Sequence, residues 1–160
     1  MTEDTKIQGK QPLKPNPALK ELGIFVGDWD MELSRASFLP DPSDTVKGSA
    51  SFEWSQEGGC LILRQGDQAN PPFSIWVIGR DDVAETYKML YFDNRAVSRI
   101  YDMSFKDGVW KIWRDAPGFF QRFTGIFSPD GKGISAEWEN SSDGENWEHD
   151  FDLTYTRSLT

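Results

Sequence analysis

The stretch that decides the fold is Trp147-Glu148-His149-Asp150-Phe151-Asp152-Leu153-Thr154-Tyr155-Thr156-Arg157. Trp147, His149, Phe151, Leu153 and Tyr155 alternate with residues that are all acidic or hydroxylic. Successive strand side chains point to opposite faces, so this segment reads as a half-buried β-strand with one apolar and one polar face. On a regular strand His149, the single histidine of the chain, falls on the inner face beside Phe151 and Tyr155.

The same alternation recurs upstream. Trp29, Met31 and Leu33 oppose Asp28, Asp30 and Glu32, while Ala50, Phe52 and Trp54 oppose Ser49, Ser51 and Glu53. From Val97 to Phe105 the apolar face carries Val97, Tyr101, Met103 and Phe105, with Arg99 among them and therefore inward. Three segments have two partly apolar faces: Tyr87 to Phe92, Trp110 to Arg114, and Phe119 to Phe127. Such strands can set one face to the interior and the other against a second copy, which makes a homodimer an expectation. Between the strands lie turn-forming groups such as Leu39-Pro40-Asp41-Pro42, Asn70-Pro71-Pro72, Lys106-Asp107-Gly108 and Ser128-Pro129-Asp130-Gly131. About ten short strands at this spacing predict an all-β antiparallel sandwich or barrel. The only helical signal is Asn16 to Gly23, where Asn16 can cap, Pro17 suits the first helical position and Gly23 suits the stop. Residues 1–15 are polar and rich in Lys, Gln, Thr and Pro, and read as a flexible tail ahead of one domain over 16–160.

Composition narrows the partners. With 17 basic against 26 acidic residues the net charge is -9, a field that repels nucleic acid and anionic membrane surfaces. The lone Cys60 forms no internal disulfide, and no charged start followed by an apolar run precedes the domain, so a reducing cytoplasm is the expected compartment. Seven Trp and 11 Phe are rings enough to fill a core or line an apolar cavity.

Two segments carry a resemblance to a known group: Phe25-Val26-Gly27-Asp28-Trp29-Asp30-Met31-Glu32 and Leu153-Thr154-Tyr155-Thr156-Arg157. Together they resemble the calycin superfamily, in particular bacterial lipocalin-like barrels, in which a glycine and a tryptophan begin the first strand after a short helical turn and an aromatic-basic pair ends the last. The resemblance implies a closed antiparallel barrel whose mouth admits a small apolar or amphipathic ligand. It extends at a distance to nitrobindins, which implies haem binding through a histidine of the last strand. Aligned on Leu153-Thr154-Tyr155, that histidine position falls on Asp150, one residue from His149, and a one-residue shift changes the face unless a bulge intervenes.

The expected ligand-binding lining consists of Trp29, Phe52, Trp54, Tyr101, Phe123 and Phe151 as walls, with Arg99, Gln121, His149 and Tyr155 as polar handles. Arg99 is either a carboxylate clamp, helped by Tyr101 or Tyr155, or a rim residue reaching water or paired with Asp93 or Asp102. His149 is either a ligand anchor, an acid or base of a cyclase- or isomerase-type barrel enzyme, a haem ligand, or a core histidine bonded to a neighbour. One His and one distant Cys do not supply a zinc site, so no metal is expected, and no cofactor apart from the haem alternative. Phosphate loops, Gly-x-Ser-x-Gly elbows and His-Glu-x-x-His helices are absent from the sequence. The sequence thus predicts a binding protein for a small hydrophobic or amphipathic molecule, unless the rings themselves fill the barrel.

Overall fold

A computed structural model describes residues 14–66 and 73–159. Apart from Lys14 and Pro15, the expected tail lies outside the described residues, as does the turn at Asn70-Pro71-Pro72. Ten strands follow one short helix: β1 (Gly27–Ser34), β2 (Val46–Trp54), β3 (Leu61–Gly66), β4 (Ser74–Asp81), β5 (Thr86–Asp93), β6 (Ser98–Lys106), β7 (Val109–Arg114), β8 (Phe120–Phe127), β9 (Gly133–Ser141) and β10 (Glu148–Arg157). Each pairs antiparallel with the next, and β10 closes on β1 from Trp29↔Arg157 to Ser34↔Asp152. Closure leaves no strand edge to pair with another chain.

Period-two burial places the core inside the barrel. In β5, Tyr87, Met89 and Tyr91 are buried while Lys88, Leu90 and Phe92 are exposed. Both faces of this strand are rich in large side chains, so sequence alone could not choose between them; pairing with the unambiguous β6 does. Likewise β7 turns Trp110 and Ile112 inward, and β8 buries Gln121, Phe123 and Phe127 and exposes Arg122 and Ile126.

One end of the barrel is plugged by a 3-10 helix, Pro17–Phe25. Asn16 caps it, its Oδ1 accepting from Ala18 N at 3.0 Å. The helix runs two residues past the expected stop at Gly23, because Leu19, Leu22 and Phe25 are all drawn into the core. The Phe25 ring sits 4.9 Å from Trp110, 5.0 Å from Phe127, 5.1 Å from Phe105 and 5.2 Å from Phe52. Arg157 then ties the plug to the wall. Its guanidinium donates to the carbonyls of Val26 (2.8 Å), Gly131 (3.2 Å) and Ile24, and lies 4.2 Å from the Trp29 ring centroid. Trp29 Nε1 donates to Phe25 O at 2.8 Å. Gly27 has φ +126, and a Cβ there would stand 3.2 Å from Arg157 Nη1, so glycine meets both a backbone and a packing demand.

One expectation is overturned. Along β10 the register runs His149↔Glu139 and then Phe151↔Trp138, with a bulge at Asp150 between them. A bulge sets two residues opposite one and turns the chain before it by one face. His149 and Trp147 therefore lie on the outer wall, Trp147 with Arg122 4.0 Å from its ring centroid. The apolar inner face of β10 begins at Phe151.

Candidate functional site at the open mouth

The plug closes the end where odd strands begin, so the other end is the mouth. The interior between them is packed ring against ring. Phe25 leads to Trp110 (4.9 Å), Trp110 to Phe123 (4.7 Å) and Phe123 to Trp138 (5.1 Å). Trp138 then meets Tyr101 at 5.9 Å and Trp76 at 6.3 Å, with Tyr91 4.6 Å from Trp76.

The expected lining residues consequently divide by depth. Trp29 and Phe52 are buried at the plugged end, where Trp54 also packs against the core. Phe123 lies in the middle of the aromatic file. Tyr155 is buried and donates to Gln65 Oε1 at 2.9 Å; burial alone raises its phenol pKa well above the ordinary range. The mouth gathers Arg99, Tyr101, Gln121 and Phe151. His149 belongs to neither group.

At the mouth, Tyr101 donates to Gln121 Oε1 at 2.6 Å, across β6 and β8, with β7 between them. Arg114, paired with Gln121 across β7 and β8, shares the inner face with Trp110 and Ile112. Burial raises the Tyr101 phenol, and the guanidinium groups of Arg99 and Arg114 beside it work in the opposite direction. Both arginines are half-buried, and among the described residues neither has a carboxylate within salt-bridge distance. The Arg99 guanidinium carbon lies 5.2 Å from the centroid of Phe119, itself 39% exposed. Half-buried cations without a counter-ion are costly unless something supplies acceptors.

Asp93, one of the partners considered for Arg99, is engaged elsewhere. Its carboxylate takes Arg95 Nη2 at 2.6 Å, Tyr91 OH at 2.5 Å, and the backbone N–H groups of Arg95 (2.9 Å) and Val97 (3.3 Å). With Arg95 contributing most, these bonds hold its pKa far below the ordinary 3.8. Tyr91 is pushed up to about 12 by burial and by Asp93. Asp102 pairs with Lys88 on the outer wall. The rim is completed by Phe38, on the β1–β2 connection, whose ring lies 5.7 Å from Phe151.

Outside the barrel, Glu137, His149 and Asp152 bring their ligating atoms within 4.8 Å of one another. His149 Nε2 is 2.8 Å from Asp152 Oδ1, while Arg35 Nε donates to Asp152 Oδ2 at 2.6 Å and Arg35 Nη2 stands 3.3 Å from His149 Nε2. Burial disfavours the Asp152 charge, but His149 and Arg35 outweigh it and keep its pKa lowered. Arg35 is the cation paired with this cluster. The implied haem does not fit either, because the chain's single histidine is on the outer wall and the interior offers no imidazole. Elsewhere on the outer wall, a depression of about 280 Å³ is lined by Asp28, Ser49, Ser51, Arg64 and Ser158 among others.

Sequence reading missed Arg114 and Arg35. Arg114 was within reach, since it continues the period-two face of Trp110 and Ile112. Arg35 was not: it lies in a connection at φ +47, and its partner is 117 residues away.

No family model and no curated protein matches the chain. Among solved structures, the crystal structure of Rv2717c from M. tuberculosis superposes with a TM-score of 0.57 at 10% identity, covering 91% of this chain and 100% of that one. At that identity the likeness extends to the barrel fold alone. Among the described residues, no helix is long and apolar enough to cross a membrane.

Proposed function

We propose that the protein binds a small amphipathic molecule carrying a carboxylate or similar anionic group, seated at the barrel mouth. The observation that supports this reading is the pair of half-buried guanidinium groups, Arg99 and Arg114, flanking the Tyr101–Gln121 hydrogen bond above an aromatic floor. Arginine's planar fork matches a carboxylate, and the surrounding rings strengthen the attraction by lowering the local polarity. Trp76, Trp138 and Phe151 offer the apolar part a wall at the same level. The filled lower half limits how deeply a ligand inserts.

The chain's net charge of -9 is no obstacle. Carboxylates farther than a Debye length of about 8–10 Å are screened at physiological salt, leaving the mouth arginines dominant at contact range. The enzymatic reading that relies on His149 as acid or base loses its footing with that residue on the outer wall. Tryptophan quenching tests the proposal with two probes that differ in one group, decanoate and decanol. Decanoate is expected to bind saturably and more tightly than decanol, and the double variant Arg99→Gln, Arg114→Gln to weaken decanoate by about tenfold to a hundredfold while leaving decanol unchanged. Equal binding of the two probes, or no saturable quenching by decanoate, would rule out an anion-directed site.

A further inference from the structure

The outer wall of β3 to β6 is apolar in a way the rest of the barrel is not. Cross-strand pairing sets Ile62 beside Val77, Val77 beside Leu90, and Leu90 beside Ile100, one unbroken row across four strands. The next row toward the mouth adds Ile75 beside Phe92. Ile100 is 64% exposed, Phe92 46%, Leu90 41% and Ile75 36%. An exposed apolar residue standing alone needs no explanation, but four contiguous ones flanked by the half-buried Ile62 and Val77 do.

We infer that this face docks a second copy of the same chain. Two features of the surface point to self-association. The first is its symmetry: the row of four and the row of two are each centred on the β4–β5 seam. A two-fold axis along that seam therefore sets apolar side chains against apolar side chains, the self-complementarity an isologous contact requires. The second is its charge. The ion pair Arg64–Glu53 stands on the β3 flank and Lys88–Asp102 on the β5–β6 flank, each neutral in itself. These flanks set no net like charge against a second copy, which spares a chain of net charge -9 a local repulsion here, and the axis brings each flank to the other flank of the partner. Because the barrel is closed, its ten strands offer no free edge to a second copy, and the contact here is through a face.

The patch is small. Six apolar side chains and the four charged ones beside them are fewer than the roughly 20–30 residues a side of a standard interface, so association in the range of about 10 μM is expected rather than nanomolar. Sedimentation equilibrium from about 1 to about 200 μM tests this, spanning that range on both sides. The weight-average mass is expected to rise from 18.2 kDa toward twice that value. Leu90→Lys and, separately, Ile100→Lys are expected to hold it at the monomer mass with native near-ultraviolet circular dichroism. Ile126→Lys, on the outer face of β8, is expected to leave association intact. A wild-type mass that stays monomeric throughout would overturn the inference, as would dimers that persist in both folded lysine variants. Should one lysine variant misfold, the other still decides between these outcomes.

Discussion

At the residue scale, the mouth is organised by groups that satisfy one another and by two arginines, Arg99 and Arg114, that have no carboxylate partner among the described residues. Asp93 is fully committed to Arg95, Tyr91 and two backbone N–H groups, so its folded pKa is depressed. A depressed carboxylate contributes stability that is present above its unfolded pKa and lost as pH falls. Asp93→Asn is therefore expected to lower Tm at pH 7, with the gap from wild type narrowing as the pH drops below about 4, as read by thermal melts across that window. The tyrosines give the opposite sign. All four, Tyr87, Tyr91, Tyr101 and Tyr155, have phenols raised above the ordinary 10.0, chiefly by burial. Their contribution is present below the unfolded pKa and lost as pH rises. In an alkaline titration followed at about 295 nm, tyrosinate is expected to appear in one cooperative step with unfolding, and a separate transition centred near 10 would contradict this burial.

At the element scale, the bulge in β10 and the 3-10 plug decide the most. The bulge at Asp150 turns His149 and Trp147 outward, joining the first to Asp152 and Arg35 and the second to Arg122. Removing Asp150 restores regular pairing, His149↔Glu139 followed directly by Phe151↔Trp138, and leaves His149 on the outer wall beside Glu139. The deletion is expected to leave His149 open to modification by diethylpyrocarbonate, which reacts with accessible imidazole, and a protected His149 in the deletion variant would contradict this register. The plug depends on Phe25 and Arg157. Phe25→Ala opens a cavity among four aromatic rings and is expected to cost about 3–5 kcal/mol in chemical denaturation. Arg157→Met keeps the apolar stem but frees three carbonyls, and an intermediate loss of about 2–4 kcal/mol is expected.

At the scale of the whole molecule, one barrel serves three surfaces with different tasks. Its lower interior is a core, its opposite end carries the half-buried Arg99 and Arg114, and its β3–β6 wall is apolar. These lie on a continuous sheet, so a side chain's task follows from its face and its height along the strand. Tyr101 and Met103 share a face one step apart, yet only Tyr101 reaches the level of Arg99 and Gln121. Ring packing separates the level of Arg99 and Gln121 from the plug at the other end. Binding of decanoate is accordingly expected to leave the Phe25→Ala stability deficit unchanged, since contributions from distant sites add. Parallel denaturation series with and without decanoate check this.

Much of the architecture was legible in the chain because a strand's two faces differ most when one is buried. Trp29-Met31-Leu33, Ala50-Phe52-Trp54 and Phe151-Leu153-Tyr155 each disclose their inner face by alternation, and Arg99 follows Tyr101 and Met103 by the same rule. The turn groups and the acidic balance likewise act locally or by simple summation. What alternation cannot disclose is a change of register. The run Trp147 to Tyr155 alternates without interruption, yet the inner face begins at Phe151, because pairing with β9 and the Ser37 N–H bonded to Asp150 O favour a bulge that no local pattern encodes. The consecutive polar residues Glu148, His149 and Asp150 were the one available hint. For β5, β7 and β8, whose two faces are both apolar, only the closed sheet selects the buried side. The sequence by itself thus determined the strands, the all-β antiparallel class and the inward Arg99. Tertiary structure alone decided that the rings meet in the middle, that Arg114 joins Arg99 at the mouth, and that His149 stands outside, because each of these depends on packing and register between strands distant in the chain.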